Sequence, residues 1–183
     1  MKGIIFNLVE EAVVAEHGDD AWDAVLAEAG VAGAYTSLDL YPDEELVALV
    51  GAGSRLLDVE PGALTRWLGH EASRGLADRY PHFFTPHAST RPFLLTLNDV
   101  IHPEVRKVHP NADPPDFGFD ENAEGDLVLT YTSRRRLCDL AIGMIAGAAT
   151  HYGETSHVNH DVCMKEGADA CRFTVSFVPG AGA

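Results

Sequence analysis

A chain of 183 residues, 46% of them apolar and 22% charged, has room for one domain with a sizeable core, since a domain near 150 residues already buries about 70% of its unfolded surface. Lys and Arg number 13 against 28 Asp and Glu, a formal charge of -15, which repels phosphate backbones and anionic membrane faces and argues against nucleic acid or membrane as partner. Three cysteines and no amino-terminal signal disfavour a secreted disulfide scaffold and favour the cytoplasm, and no apolar run reaches the roughly 18 to 20 residues of a membrane helix.

Apolar positions in the first half recur at helical spacing. Ile4, Ile5, Leu8, Val9 and Val13 mark a first helix and Trp22, Val25, Leu26 and Ala29 a second, with Gly18 and Gly30 as stops. Pro42 and Asp43 introduce a third helix over 44–50, and Pro61 a fourth that carries Leu64, Trp67 and Leu68 to about Ala77. Residues 80–90, with Pro81 and Pro86, read as a connector. A helix follows over 91–108, bent or changed in its hydrogen bonding by Pro103. Asn111, Asp113, Pro114 and Pro115 then form a loop, and the run Leu-Val-Leu-Thr-Tyr-Thr at 127–132 begins the strands. Residues 135–152 return to helix, with Gly143 and Gly147 letting a neighbour approach closely. Two β-like runs, 158–164 and 171–178, flank a hairpin signature centred on Gly167. The expected fold is α+β, a helical amino-terminal two-thirds followed by an antiparallel sheet with a packed helix. One domain over 1–178 and a flexible tail over 179–183 complete the expectation.

Three constellations could carry chemistry. Tyr131, Ser133 and Arg135 stand two apart at the end of the strongest strand signal, so in extended backbone two hydroxyls and a guanidinium share a face that suits a carboxylate. Read without a ligand, the same residues are a solvated strand end whose arginines balance nearby acids. His102 follows Phe93, Leu94, Leu97 and Ile101 on an apolar approach and could present a neutral imidazole to iron or zinc, although most histidines ligate nothing. Cys138, His160, Cys163 and Cys171 supply the four ligands of a closed Cys3His zinc site. Cys163 and Cys171 fall opposite each other in the hairpin, which equally suits a disulfide or an inert thiol pair. His160 joins them only if the strand bends or bulges near Asp161. A second histidine for His70-Glu71, a phosphate loop, a nucleophile elbow and a dinucleotide fingerprint are all missing, so the chain is not expected to be an enzyme.

Met1-Lys2-Gly3-Ile4-Ile5, Asp99-Val100-Ile101-His102, Pro114-Pro115 and Tyr131-x-Ser133-x-Arg135 together resemble the haem nitric oxide/oxygen binding (H-NOX) domain, related to the sensor domain of soluble guanylate cyclases. The resemblance spans nearly the whole chain. It implies a non-covalent b-type haem buried between the helices and the sheet, with His102 as proximal iron ligand and Tyr131, Ser133 and Arg135 on the propionates. Pro115 would press on the macrocycle and Ile5 would line the pocket. Oxygen-binding members place a tyrosine where this chain has Leu140, with polar or aromatic support where it has Val9 and Ala72, so the resemblance points to the nitric-oxide-selective branch. The Cys138, His160, Cys163, Cys171 set is similar to the zinc site of a subset of bacterial members. By the same resemblance, nitric oxide breaks the bond from iron to His102, and the signal passes to a separate protein, a histidine kinase or a cyclic-di-GMP enzyme. A zinc and thiol redox sensor with haem secondary, and a metal-dependent enzyme using His102 and His109, are the competing expectations.

Overall fold

The computed structural model describes residues 1–109 and 111–180. Helices α1 (Gly3–His17) and α2 (Asp19–Ala29) bury Phe6, Val9, Ala12, Trp22 and Val25. They stop where expected, because Gly18 and Gly30 take positive φ of 84° and 68° while their N–H groups close onto Val14 and Leu26. Helix α3 (Asp43–Leu57) opens with Asp43, Glu44 and Glu45 in its first turn, where carboxylates complement the helix dipole. It continues well past Val50, since Gly53 in mid-helix lies against Leu64 of the next helix rather than breaking the chain. That next helix, α4 (Pro61–Arg79), begins with the proline at its first turn, where no N–H is needed.

The connector holds one short helix, α5 (Pro81–Phe84). The single bent helix expected over 91–108 is instead three pieces: α6 (Thr90–Leu94), a π-helical turn over Leu97–Ile101, and α7 (His102–Val108). Pro103 explains the last boundary, for a proline fits the first turn of α7 but could not continue a helix begun upstream. Asn98 fixes the π turn by reading the backbone of Phe117 twice, its Nδ2 donating to the carbonyl and its Oδ1 accepting from the N–H at 3.2 Å.

Four antiparallel strands follow in the order β1-β2-β4-β3. Strand β1 (Asp116–Glu121) arises where the sequence pattern predicts only a loop, its Phe117 and Phe119 paired with Tyr131 and Leu129 of β2 (Leu127–Thr132). Helix α8 (Cys138–His151) starts three residues later than its pattern suggests, after Arg136 adopts a left-handed φ of 51°. Strand β3 (Glu154–Val162) is longer than expected and pairs with β4 (Cys171–Pro179). Pro179 pairs with Glu154 and the Gly180 N–H reaches the Gly153 carbonyl at 2.7 Å; residues 181–183 of the expected tail lie outside the described residues. No helix among the described residues is long and apolar enough to cross a membrane.

The core divides in two. One cluster joins the sheet and α8 through Leu127, Leu129, Tyr131, Ile145, Phe173 and Val175, with Leu97, Ile101 and Phe117 against it. The other joins α1 to α4 through Phe6, Val9, Trp22, Leu46 and Leu68. Helices α4 and α8 make the most extensive helix contact, and glycines allow it. A side chain begun at Gly143 would meet the Arg66 carbonyl oxygen at 2.0 Å, at Gly147 the His70 oxygen at 2.3 Å, and at Gly69 the Leu140 oxygen at 2.4 Å.

Candidate functional site

His102 opens α7 directly after the π turn, with its ring 6.0 Å from Phe117. Burial, helped by the Arg106 cation, pushes its pKa down to about 4. Asp116 and the Pro115 carbonyl pull the other way more weakly, and among the described residues no aligned hydrogen bond reaches the buried Nδ1. The site thus presents a neutral, under-partnered imidazole, the state in which histidine ligates metal.

Tyr131 is buried at 2% exposure between Phe117 of β1 and Cys171 of β4. Burial raises its phenol pKa, while Ser133 and the Leu137 backbone oppose the rise. The shared strand face expected for Tyr131, Ser133 and Arg135 is corrected by the turn that begins at Ser133. Strand β2 ends at Thr132, and the Arg136 N–H closes onto the Ser133 carbonyl at 3.1 Å. The Ser133 hydroxyl now accepts the Arg135 N–H at 3.3 Å. The Arg135 guanidinium, 11% exposed, lies with Nε 2.9 Å from Asp43 Oδ2, out of hydrogen-bond alignment, and with Nη1 on Asp113. Among the described residues no hydrogen bond is made by Nη2, which leaves that nitrogen as a donor for an incoming carboxylate. Asp43 is a site residue that sequence reasoning missed: it comes from α3, far away in sequence, and also accepts the Met1 ammonium at 2.5 Å. These two cations hold its carboxyl below the usual range although burial opposes them.

Leu140 is buried at the start of α8 and Ala72 in α4, while Ile5 and Pro115 are half-buried. Ile5, Ala72 and Leu140 join neither core cluster.

Cys138, His160, Cys163 and Cys171 converge, with their ligand atoms all within 4.8 Å of one another. The convergence depends on the bulge near Asp161, where β3–β4 pairing shifts between His160 and Val162. Cys138 and Cys163 sulfurs stand 3.9 Å apart, close to the roughly 3.8 Å separating two thiolates on a tetrahedral ion with bonds of about 2.3 Å. Among the described residues His160 Nε2 is buried without a hydrogen-bond partner. Burial raises the Cys138 thiol to about 12 and raises Cys171 as well, so these two thiols keep their protons until a cation displaces them. The four residues fit a divalent metal ion.

A half-buried neutral imidazole, an arginine with a donor to spare and a core divided in two are what a domain built around a planar, carboxylate-bearing cofactor presents. The Haem-NO-binding family model matches residues 2–160, and the chain belongs to this family of haem-based gas sensors. The H-NOX protein from Shewanella oneidensis in its Fe(II)NO state is 31% identical, with a TM-score of 0.90 over 97% of this chain and 99% of that one. A triple mutant of the S. oneidensis protein, in the Fe(II) state, gives 30% identity and 0.91 over 100% and 98%. The Fe(II) unliganded H-NOX protein from K. algicida, at 23% identity and 0.86 over the full length of both chains, shares the fold. No curated protein sequence matches the chain.

Proposed function

We propose that this chain is a haem-based nitric oxide sensor that regulates a separate signalling partner, a histidine kinase or a cyclic-di-GMP enzyme. Haem b would supply the gas-binding iron. His102 would hold that iron, Tyr131, Ser133 and the Nη2 donor of Arg135 would hold the propionates, and Pro115 and Ile5 would shape the pocket. The observation that carries the selectivity is that Val9, Ala72 and Leu140 are all buried hydrocarbon. Bound dioxygen takes on negative charge that an O–H or N–H donor stabilises, and these positions offer none; nitric oxide needs no such donor. Release of His102 from the iron on nitric oxide binding would free α7 and pass the signal on.

The absorption spectrum of the freshly purified ferrous protein tests this reading. It should stay five-coordinate in air and change on addition of nitric oxide, and Leu140→Tyr should gain a stable oxygen-bound spectrum. A stable oxygen-bound spectrum in the unaltered chain would overturn the selectivity.

A zinc ion held by Cys138, His160, Cys163 and Cys171 completes the proposal, supported by their convergence, and metal analysis of reduced protein should find about one zinc per chain. The proximity of the Cys138 and Cys163 sulfurs favours a second reading, in which these thiols are the primary detector of oxidants. Oxidant would then change partner activity in haem-free protein.

A further inference from the structure

Beside the cysteine cluster lies a charge arrangement that the fold alone does not require. Asp139, the residue after Cys138, is the one buried carboxylate among the described residues, and a buried carboxylate needs a cation. It has two. Arg66 of α4 approaches Oδ1 with Nε at 2.9 Å and Nη2 at 2.7 Å, and Lys165 places Nζ 2.6 Å from Oδ2. One cation would neutralise the carboxylate, so the trio carries a surplus positive charge.

The surplus stands where the metal site would want it. A divalent ion on three thiolates and a neutral imidazole bears one net negative charge. Lys165 sits two residues beyond Cys163, in the short 3-10 turn over Met164–Glu166, and the Met164 N–H of that turn donates to Cys171 Sγ at 3.2 Å. The Asp139–Lys165 pair therefore joins the same two segments that Cys138 and Cys163 would join through the ion. Helix α4 closes over Asp139, since even a Cβ at Gly62 would come within 3.3 Å of its Oδ2, while the Lys165 side chain is half exposed.

We infer that Lys165, fixed by Asp139, is a positioning residue whose cation balances the metal-loaded Cys138, His160, Cys163, Cys171 cluster and sets how tightly that cluster keeps its ion. This rests on the metal reading above and adds a residue to it. Arg66 secures Asp139, and Asp139 aims Lys165.

Zinc affinity, read in competition with a chromogenic chelator, tests the inference on the reduced full chain. Lys165→Met should weaken zinc binding by about 10-fold or more, the range typical for residues that support metal ligands. Lys165→Arg, which keeps the cation, should restore most of that loss. The thermal midpoint of the metal-free chain should change much less than that of the zinc-loaded chain. Unchanged affinity in Lys165→Met would overturn the inference. Equal loss of stability with and without zinc would also overturn it, by reducing Lys165 to a structural clasp. Should Lys165→Met not fold, Lys165→Gln repeats the measurement. An unaltered chain that takes up no zinc would overturn the metal reading itself, a result distinct from wild-type affinity in the variant.

Discussion

His102 shows how burial serves ligation. An exposed histidine is part protonated at neutral pH, whereas this one, pushed down to about 4 by burial and Arg106, is already neutral when it meets a metal. His102→Ala should therefore abolish stable haem retention unless imidazole is supplied, read as the haem absorbance that survives gel filtration. A wild-type ferrous spectrum in the variant would mean that another residue holds the iron. The sequence marks Tyr131, Ser133 and Arg135 as candidates for a carboxylate, but the partners that Arg135 has in the fold are not legible there. Asp43 and Asp113 come from a helix and a loop distant in sequence, and local spacing carries no information about such neighbours. His160 is legible only conditionally, because an ideal strand turns it away from Cys163 and only the bulge brings it back.

At the scale of elements, the amphipathic helices are readable because one face must be buried wherever they pack. Strand β1 escapes that logic: Gly118 interrupts its two phenylalanines and acids flank them, so its pairing is decided by the strand next to it. The π turn is also hidden, since Asn98 imposes it through the Phe117 backbone. The α4–α8 contact is half legible, with two of its glycines marked by their spacing as sites of close approach. Gly143→Ala should test that contact severely, because the added methyl would sit 2.0 Å from the Arg66 carbonyl oxygen and backbone cannot rotate aside. A loss of about 3 kcal/mol, the upper end for overpacking, should appear as a lowered midpoint in chemical denaturation.

Over the whole molecule, two depressed carboxylates pin the two halves together. Asp43 joins the head of α3 to Met1 and Arg135, and Asp139 joins α8 to α4 and the hairpin turn. Burial opposes ionisation of each, but the neighbouring cations outweigh it and lower both pKa values. A carboxyl whose folded pKa lies below its unfolded value of about 3.9 stabilises the fold above that pH and loses its contribution as pH falls through the folded value. The thermal midpoint should accordingly drop below about pH 4. Asp43→Asn should lower the midpoint near neutrality and flatten the acid limb; an unchanged acid limb would show that Asp43 takes no part in it.

The glycine contacts between α4 and α8 also leave a magnetic trace. Where a side chain would collide, each glycine instead aims an α-hydrogen at a carbonyl oxygen: Gly143 at Arg66, Gly147 at His70 and Gly69 at Leu140. Such C–H to oxygen contacts are weak individually and recur at close helix crossings. The polarised hydrogens should resonate downfield of ordinary helical glycines, so three displaced α-proton signals would report the helix crossing directly in solution, with no label or cofactor added.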